Sequence, residues 1–262
     1  MKVLITGASS GIGRELARLL AGRCRELVLV GRDVVRLEAL EQELLAAHKG
    51  LRVASVAMDL SRTENCRRLY ETHPDVDFLI NNAGFGIFGE FCQTDLETEL
   101  GMIDTNVKAL HILTKLYLVD MVDRDRGRVL NVASIAGFMP GPLMAAYYAS
   151  KAYVVRLSEA IRKELRARGS RVKISILCPG PVETGFAQTA RIAFHFVGAD
   201  ARKTAEYALS HLDRFYIVPG FPIRASRLMI KALPTAAVTS AVFWLQSRRQ
   251  GNDAAGSRDG GS

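Results

Sequence analysis

The chain has 262 residues, of which 48% are hydrophobic and 7% aromatic, and this size and composition suit one α/β domain with one substantial core. The formal net charge of +8 would suit an anionic partner, but the arginines are spread over predicted helices rather than gathered in one stripe, which argues against nucleic-acid binding. The cysteines and histidines lack the spacing of a metal site, so we expect free thiols in a reducing compartment and no bound metal.

The first residues, MKVLITG, enter a predicted strand directly, with no apolar segment of signal-peptide length before them. We therefore expect a cytoplasmic protein.

Short aliphatic runs of strand length recur along the chain and alternate with stretches of helical spacing. The runs occupy residues 2–6, 26–30, 52–58, 76–80, 128–134, 172–178 and 215–220. Strands that alternate with helices form a parallel sheet covered on both faces. The sequence therefore predicts an α/β fold: a single doubly wound (Rossmann) domain over residues 1–249, with a mostly parallel seven-stranded sheet. We expect the polar, glycine-rich segment 250–262 to be a disordered tail.

A glycine-rich turn, TGASSGIG, lies between the first predicted strand and the first predicted helix. Gly7, Gly11 and Gly13 allow a tight turn, close approach to a pyrophosphate and packing of the helix on the sheet. Glycine turns alone are common because many turns need a positive φ. The position between strand and helix favours a dinucleotide site over an ordinary turn.

The residues after the second strand indicate which dinucleotide binds. An NAD site needs a carboxylate there for the ribose hydroxyls, but this chain has Arg32, whose guanidinium can hold a 2′-phosphate. We therefore expect NADP(H); an exposed arginine without a contact is the alternative. Asp33 is interpreted as the cap of the next helix. Asp59, which ends the third strand, either accepts a hydrogen bond from the adenine amino group or caps the helix that follows.

Two tyrosines and a lysine lie close together in the segment AAYYASK. Tyr147 and Lys151 are four residues apart and share one face of a helix, whereas Tyr148 points a quarter-turn or more away and is expected to pack or to line a pocket. A nearby ammonium lowers the pKa of a phenol, which makes Tyr147 a usable general acid or base. Ser134, at the end of the fifth strand, can hydrogen-bond an oxygen on which charge develops; a buried strand-end serine is the alternative.

These motifs together make residues 1–220 similar to the short-chain dehydrogenase/reductase family. In order, the motifs are Thr6-Gly7-x-x-x-Gly11-Ile12-Gly13, Asp59-Leu60, Asn81-Asn82-Ala83-Gly84, Asn106, Ser134, Tyr147 with Lys151, and Pro179-Gly180-Pro181-Val182-x-Thr184. The segment NNAGFGIFGEF, with Phe85, Phe88 and Phe91, resembles a bacterial subgroup of broad-specificity reductases and also the membrane-associated ketoacyl reductases and hydroxysteroid dehydrogenases.

The resemblance implies hydride transfer between NADP(H) and a ketone or secondary alcohol. Tyr147 would exchange the substrate proton and Ser134 would orient the carbonyl. Lys151 would hold the nicotinamide ribose and lower the pKa of the tyrosine, and Asn106 would support a water chain that leads from the lysine.

The resemblance also implies the ligand contacts. The expected cofactor contacts are Gly7, Ser9, Ser10, Gly11, Ile12, Gly13, Arg32, Asp59, Leu60, Asn82, Ala83, Gly84, Tyr147, Lys151, Pro179, Gly180, Val182 and Thr184. The expected substrate contacts are Ser134, Ala136, Leu143, Tyr147 and Phe186. Some NADPH-preferring members carry a basic residue where this chain has Ser10, so the preference for NADP(H) depends on Arg32, with the hydroxyls of Ser9 and Ser10 as helpers.

Two segments are expected to shape the substrate side. Residues 185–212 have the apolar character of a helical lid over an acyl, lipid-like or steroid-like substrate, with core packing of a short helix as the alternative. The basic amphipathic extension 221–249 is interrupted by Lys231 and Pro234 and is not expected to span a membrane. It either lies peripherally on an anionic membrane surface or covers the pocket and a subunit interface.

The resemblance implies a homodimer or homotetramer paired through the helices around residues 98–122 and 147–168. A catalytically idle NADP(H)-binding sensor or scaffold is the alternative to an enzyme. The intact set of Ser134, Tyr147 and Lys151 favours the enzyme, since a binding protein would not need all three.

Overall fold

In the computed structural model, which describes residues 1–182 and 198–256, seven parallel strands form one sheet in the order β3-β2-β1-β4-β5-β6-β7. The strands are β1 (Lys2–Thr6), β2 (Glu26–Gly31), β3 (Arg52–Ala57), β4 (Phe78–Asn81), β5 (Arg128–Val132), β6 (Lys173–Leu177) and β7 (Tyr216–Ile217). Each coincides with one of the predicted runs, although β7 contains only two residues. The predicted doubly wound α/β fold is confirmed.

Helices follow the strands in alternation. They are α1 (Gly11–Ala21), α2 (Val34–Ala47), α3 (Thr63–Thr72), α4 (Leu96–Ile103), α5 (Leu110–Asp123), α6 (Ala145–Ala167), α7 (Ala201–Ser210), α8 (Phe221–Ala232) and α9 (Thr235–Gly256). A π-helical segment (Asp104–Ala109) joins α4 to α5, and a short 3-10 helix (Ile135–Phe138) follows β5. Because α9 ends at Gly256, it includes the first part of the segment predicted to be disordered; for residues 257–262, which lie outside the described ranges, disorder stays a prediction.

The sheet separates two hydrophobic clusters, one on each face. Neighbouring residues of β1 point to opposite faces, so Leu4 belongs to one cluster while Val3 and Ile5 belong to the other. The first cluster is completed by residues of α3, α5 and α6, and the second by residues of α1, α2 and α7. Burial on both faces explains why the strands read as nearly continuous aliphatic runs.

A buried chain of polar side chains ties the central strands to the helices. The amide of Asn81 on β4 donates to Oδ1 of Asn131 on β5 and to the hydroxyl of Thr114 on α5, both at 2.9 Å. The amide of Asn131 in turn donates to the hydroxyl of Ser158 on α6 at 2.9 Å. These bonds fix α5 and α6 against the centre of the sheet, directly below its carboxyl edge.

At the first turn, α1 packs so closely on the sheet that Gly13 has no room for a side chain. A Cβ there would lie 2.3 Å from the carbonyl oxygen of Gly7 and 2.4 Å from Nδ2 of Asn82. By contrast, a Cβ at Gly101 in α4 would have no described neighbour within 4 Å.

We predict that Gly13→Ala lowers the free energy of unfolding by about 1–3 kcal/mol, since the added methyl must displace the turn or the Asn82 amide. The same change at Gly101 is the matched control and should raise it by about 0.5–1 kcal/mol, because alanine is the better helix former. Urea unfolding of the three proteins measures both effects. Equal stability of the Gly13→Ala variant and the wild-type protein would contradict the packing described here.

Candidate active site

A cavity of about 750 Å³ lies at the carboxyl edge of the sheet, where the ends of β1, β2, β4 and β5 meet α6. Open parallel sheets bind ligands at this edge, beside the point where the strand order reverses. Most of the predicted site residues line the cavity: Gly7, Ser9, Ser10, Gly11, Ile12, Arg32, Asp59, Leu60, Asn82, Ala83, Gly84, Ser134, Ala136, Tyr147, Lys151, Pro179, Gly180 and Val182.

Three predicted residues do not line the cavity, and two lie outside the described residues. Gly13 and Asn106 lie behind the cavity wall and support it. Leu143 does not line the cavity: its side chain is buried, its φ is +63°, and its carbonyl accepts from the backbone N–H of Gly89 at 2.8 Å. Its role as a substrate contact stays a prediction. Thr184 and Phe186 lie outside the described residues.

The first turn presents backbone N–H groups to the cavity. Gly7 and Gly11 have φ values of +65° and +54°, which L side chains rarely adopt. Ser10 occupies the N-cap position of α1 but its hydroxyl does not cap the helix. The first N–H groups of α1 and the hydroxyls of Ser9 and Ser10 thus line a site suited to an anion.

Thr6 holds this turn against the end of β4. Its hydroxyl accepts from the backbone N–H groups of Asn82 and Ala83, both at 3.0 Å. In return, the amide of Asn82 donates to the carbonyls of Thr6 and Gly7, also at 3.0 Å. Thr6 and Asn82 therefore position the turn, a role that the sequence motif contains but that sequence reasoning did not assign to Thr6.

A positively charged side chain, that of Arg32, lies beside the cavity directly after β2. Arg32 is exposed, its guanidinium carbon lies 5.9 Å from the centre of the Phe85 ring, and it has no ion pair within residues 1–182 and 198–256. Asp33 is the N-cap of α2, as predicted: its carboxylate accepts from the N–H of Arg36 at 3.0 Å and pairs with the Arg36 guanidinium at 3.2 Å. Arg32 therefore remains available to a ligand.

Asp59 does not cap α3, so that alternative is wrong. The N-cap of α3 is Arg62, and the Asp59 carboxylate instead accepts from the N–H of Ser61 at 3.0 Å. Burial alone would raise the pKa of Asp59, but the hydrogen bonds from Ser61 and the charge of Arg32 outweigh it and hold the pKa below its usual value. The carboxylate stays ionised at the cavity wall.

Ser134, Tyr147 and Lys151 come together at one wall of the cavity. The Ser134 hydroxyl accepts from the N–H of Ala136 at 3.2 Å and hydrogen-bonds the phenol of Tyr147. The ammonium of Lys151 is buried, donates to the carbonyl of Val132 at 3.1 Å, and lies 5.8 Å from the centre of the Tyr147 ring. The four-residue spacing on α6 thus selects Tyr147, as the sequence predicts.

Burial controls the proton affinities of this set. It raises the pKa of Tyr147 to about 12, although the hydrogen bond from Ser134 opposes the rise, and it lowers the pKa of Lys151 to about 8. The expected lowering of the Tyr147 pKa by Lys151 is therefore not found, because desolvation of the phenol dominates. At neutral pH the phenol is protonated and the lysine is mostly charged.

Asn106 lies in the π-helical segment, a distortion that often marks functional sites. Its amide donates to the carbonyl of Phe85 at 2.8 Å and to the hydroxyl of Ser150 at 3.1 Å, and its Oδ1 accepts from the N–H of Phe85 at 3.0 Å. A Cβ on Gly84 would lie 2.8 Å from Oδ1 of Asn106 and 3.3 Å from Nζ of Lys151. Asn106 thus lies beside Lys151; the water chain stays a prediction.

The C-terminal extension covers the other end of the cavity. The lining side chains from α8, from Leu233 directly after it and from α9 follow helical spacing: Ser226, Met229, Ile230, Leu233, Val238, Ala241, Val242, Leu245 and Gln246. This supports the alternative in which the extension covers the pocket. The predicted lid at 185–212 is wrong for its described part, because α7 packs against α1 in the second cluster and does not line the cavity.

Sequence reasoning did not assign several other cavity residues. Met139 and Met144, which precede α6, line the apolar end, and Tyr148 lines it as expected. The apolar residues of α8 and α9 recur at i, i+3 and i+4, so their pattern could have identified a cavity-facing stripe.

Within the described ranges, no helix combines the length and hydropathy needed to cross a membrane. Nor do His, Cys, Asp and Glu side chains in that part of the chain form a group of three or more that could hold a metal ion.

Comparison with known proteins agrees with this geometry. A family model described as short chain dehydrogenase matches residues 1–193. The ketoacyl reductase HetN of a Nostoc species is 36% identical over 196 residues, which are 73% of this chain and 67% of HetN. A short-chain dehydrogenase from Sphingobium yanoikuyae in complex with NADPH has 31% identity and a TM-score of 0.81, covering 88% of this chain and 92% of its own.

A second solved structure differs in its cofactor. A short chain dehydrogenase/reductase from Burkholderia phymatum in complex with NAD has 28% identity and a TM-score of 0.77, covering 86% of this chain and 91% of its own. Sequence, fold and site agree, and the chain belongs to the short-chain dehydrogenase/reductase family of oxidoreductases.

Proposed function

We propose that this oxidoreductase is an NADP(H)-dependent carbonyl reductase that transfers hydride between the nicotinamide and a ketone or secondary alcohol. The observation that carries the proposal is the meeting of Ser134, Tyr147 and Lys151 at one wall of a cavity that joins a phosphate-binding turn to an apolar end. A catalytically idle NADP(H)-binding protein would explain the turn but not this set of three.

The cavity fits a dinucleotide with a 2′-phosphate. The N–H groups at the start of α1 suit the pyrophosphate, and the guanidinium of Arg32, which has no ion pair among the described residues, suits the 2′-phosphate. Asp59, held ionised, suits the adenine amino group. Lys151 and Gly84 lie side by side, and the absence of a side chain at Gly84 leaves room for a ribose there. One relative is in complex with NADPH, which supports this choice, and another is in complex with NAD. Because both cofactors occur among the relatives, the proposed preference for NADP(H) depends on Arg32.

When bound, the nicotinamide supplies the hydride. Residues of the chain then bind and protonate the carbonyl oxygen of the substrate. The Ser134 hydroxyl and the Tyr147 phenol, which already hydrogen-bond each other, both donate to that oxygen and orient the carbonyl. Because its pKa is about 12, Tyr147 holds its proton at neutral pH and can give it to the oxygen as the alcohol forms.

Lys151 supports the proton donor by charge. Its ammonium is fixed by the carbonyl of Val132 close to the Tyr147 ring, so it stabilises the phenolate that remains after proton transfer. This raises the acidity of Tyr147 in the transition state rather than in the resting protein.

The lining from α8 and α9 supports an apolar substrate of acyl, steroid-like or lipid-like character, and the name of the ketoacyl reductase relative is consistent with this class. The expected homodimer or homotetramer, the cytoplasmic location and a peripheral membrane contact of residues 221–249 stay predictions.

We predict that Tyr147→Phe lowers kcat for ketone reduction by about 10²- to 10⁴-fold, since the proton donor is lost, while the Kd for NADPH changes little. The matched control is Tyr153→Phe on the same helix, since the exposed Tyr153 hydroxyl hydrogen-bonds only Nδ1 of His111, at 2.7 Å, within the described residues and should not affect turnover. Initial rates and NADPH fluorescence titration measure the two quantities. Near wild-type turnover in Tyr147→Phe would rule out its role.

We predict that Arg32→Gln raises the KM for NADPH by roughly 10- to 100-fold, because a charge-assisted contact to the 2′-phosphate is worth about 1.5–3 kcal/mol. The KM for NADH should stay nearly constant. Arg52→Gln, which removes an exposed arginine paired with Glu26, is the control and should change neither value. An equal rise in KM for NADPH and for NADH would show that Arg32 does not bind the 2′-phosphate.

We predict that kcat/KM for NADPH is constant below pH 8 and falls about tenfold per pH unit above it, because this ratio reports the free enzyme and Lys151 loses its charge as pH rises through its pKa of about 8. Lys151→Arg keeps the charge and should remove the fall near pH 8, even at a lower rate. A profile that falls near pH 8 in both proteins would assign the titration to another group.

A further inference from the structure

Gln246 is a buried amide at the apolar end of the cavity. It lies on α9, is only 2% exposed, and lines the cavity beside Val242 and Leu245. Its Nε2 donates to the hydroxyl of Tyr148 at 2.9 Å. Its Oε1 is also buried, and no partner for it is found in the described part of the chain.

Tyr148, the partner of Gln246, is held rigidly beside the catalytic wall. Its ring lies against the backbone at Gly141, where a Cβ would come within 2.2 Å of the ring. It also meets the ring of Tyr147 edge to face, with the ring centres 6.0 Å apart. The Tyr148 hydroxyl and the Gln246 amide therefore form a fixed polar pair next to the proton donor.

An apolar environment does not by itself explain this pair. A buried carbonyl without a partner is destabilising, and a leucine at this position would fill the same space without that cost. A polar group of a ligand in the cavity would remove the penalty.

We infer that Gln246 and Tyr148 form a subsite for a hydroxyl group of the substrate, remote from the reacting carbonyl. A hydroxyl fits because it can donate to Oε1 of Gln246 and accept from the Tyr148 hydroxyl or the amide. This inference rests on the proposed function and narrows its substrate class to apolar ketones that carry a second, hydroxyl-bearing position. The reaction itself is unchanged: the carbonyl takes up a hydride and a proton, and the remote hydroxyl is only bound.

The subsite would act on specificity in two ways. A substrate with the hydroxyl gains a hydrogen bond, and a substrate with a methyl group in its place leaves the amide carbonyl unpaired. Sites built to bind a hydroxyl reject analogues without it more strongly than apolar pockets reject extra groups. The specificity therefore depends on the C-terminal extension, which supplies Gln246.

The test uses straight-chain methyl ketones of about eight to fourteen carbons, a size range that the cavity can hold, and the same ketones with a terminal hydroxyl. With NADPH saturating, we expect one chain length at which the hydroxy ketone has a kcat/KM about tenfold higher than the plain ketone. In Gln246→Leu that ratio should fall to about one. Gln42→Leu, the same change on the exposed face of α2, is the control and should keep the wild-type ratio.

Tyr148→Phe provides a second test that preserves the packing of the ring against Gly141, and it should also lower the ratio. If wild-type protein reduces plain ketones but shows no preference at any length, or if both variants keep the wild-type ratio, the inference is wrong while the proposed function stands. If wild-type protein reduces neither series, the proposed function fails and the inference fails with it.

Discussion

The site depends on one close contact, between the turn after β1 and the turn after β4. The Thr6 hydroxyl and the Asn82 amide join the two turns with hydrogen bonds of 3.0 Å, and glycines at positions 7 and 13 permit the approach. This contact points the start of α1 into the cavity and sets Gly84 beside Lys151. This contact thereby places two features on one edge of one sheet although they are far apart in sequence: the turn that we propose binds phosphate and the proposed proton donor, Tyr147.

At that edge, burial rather than direct charge pairing sets the pKa values of Tyr147 and Lys151. Desolvation keeps the Tyr147 phenol protonated and brings the pKa of Lys151 close to neutral pH. The resting protein is therefore arranged to donate a proton, which suits reduction of a carbonyl. The buried ammonium of Lys151 is held by the carbonyl of Val132, and its stabilising effect is largest when negative charge develops on the phenol oxygen.

Sequence reasoning predicted the fold and the pairing of Tyr147 with Lys151 because both depend on local periodicity; the catalytic roles stay predictions. The aliphatic runs gave the strands, and the four-residue spacing separated Tyr147 from Tyr148. It failed where the answer depends on contacts between distant segments. The pKa of Tyr147 depends on burial by several elements, and Gln246 meets a tyrosine that lies 98 residues earlier. The lid was expected at residues 185–212 because the apolar character of a segment shows that the segment is covered, but not which cavity it covers.

The central claim is that this cavity reduces apolar ketones with NADPH. The most direct measurement is the oxidation of NADPH by the wild-type protein, followed by absorbance, with acyl thioester, steroid and aliphatic ketones and with NADH in parallel. The account predicts turnover of apolar ketones, with NADPH used well ahead of NADH. Binding of NADPH without turnover of any ketone would contradict it and would favour an idle binding protein.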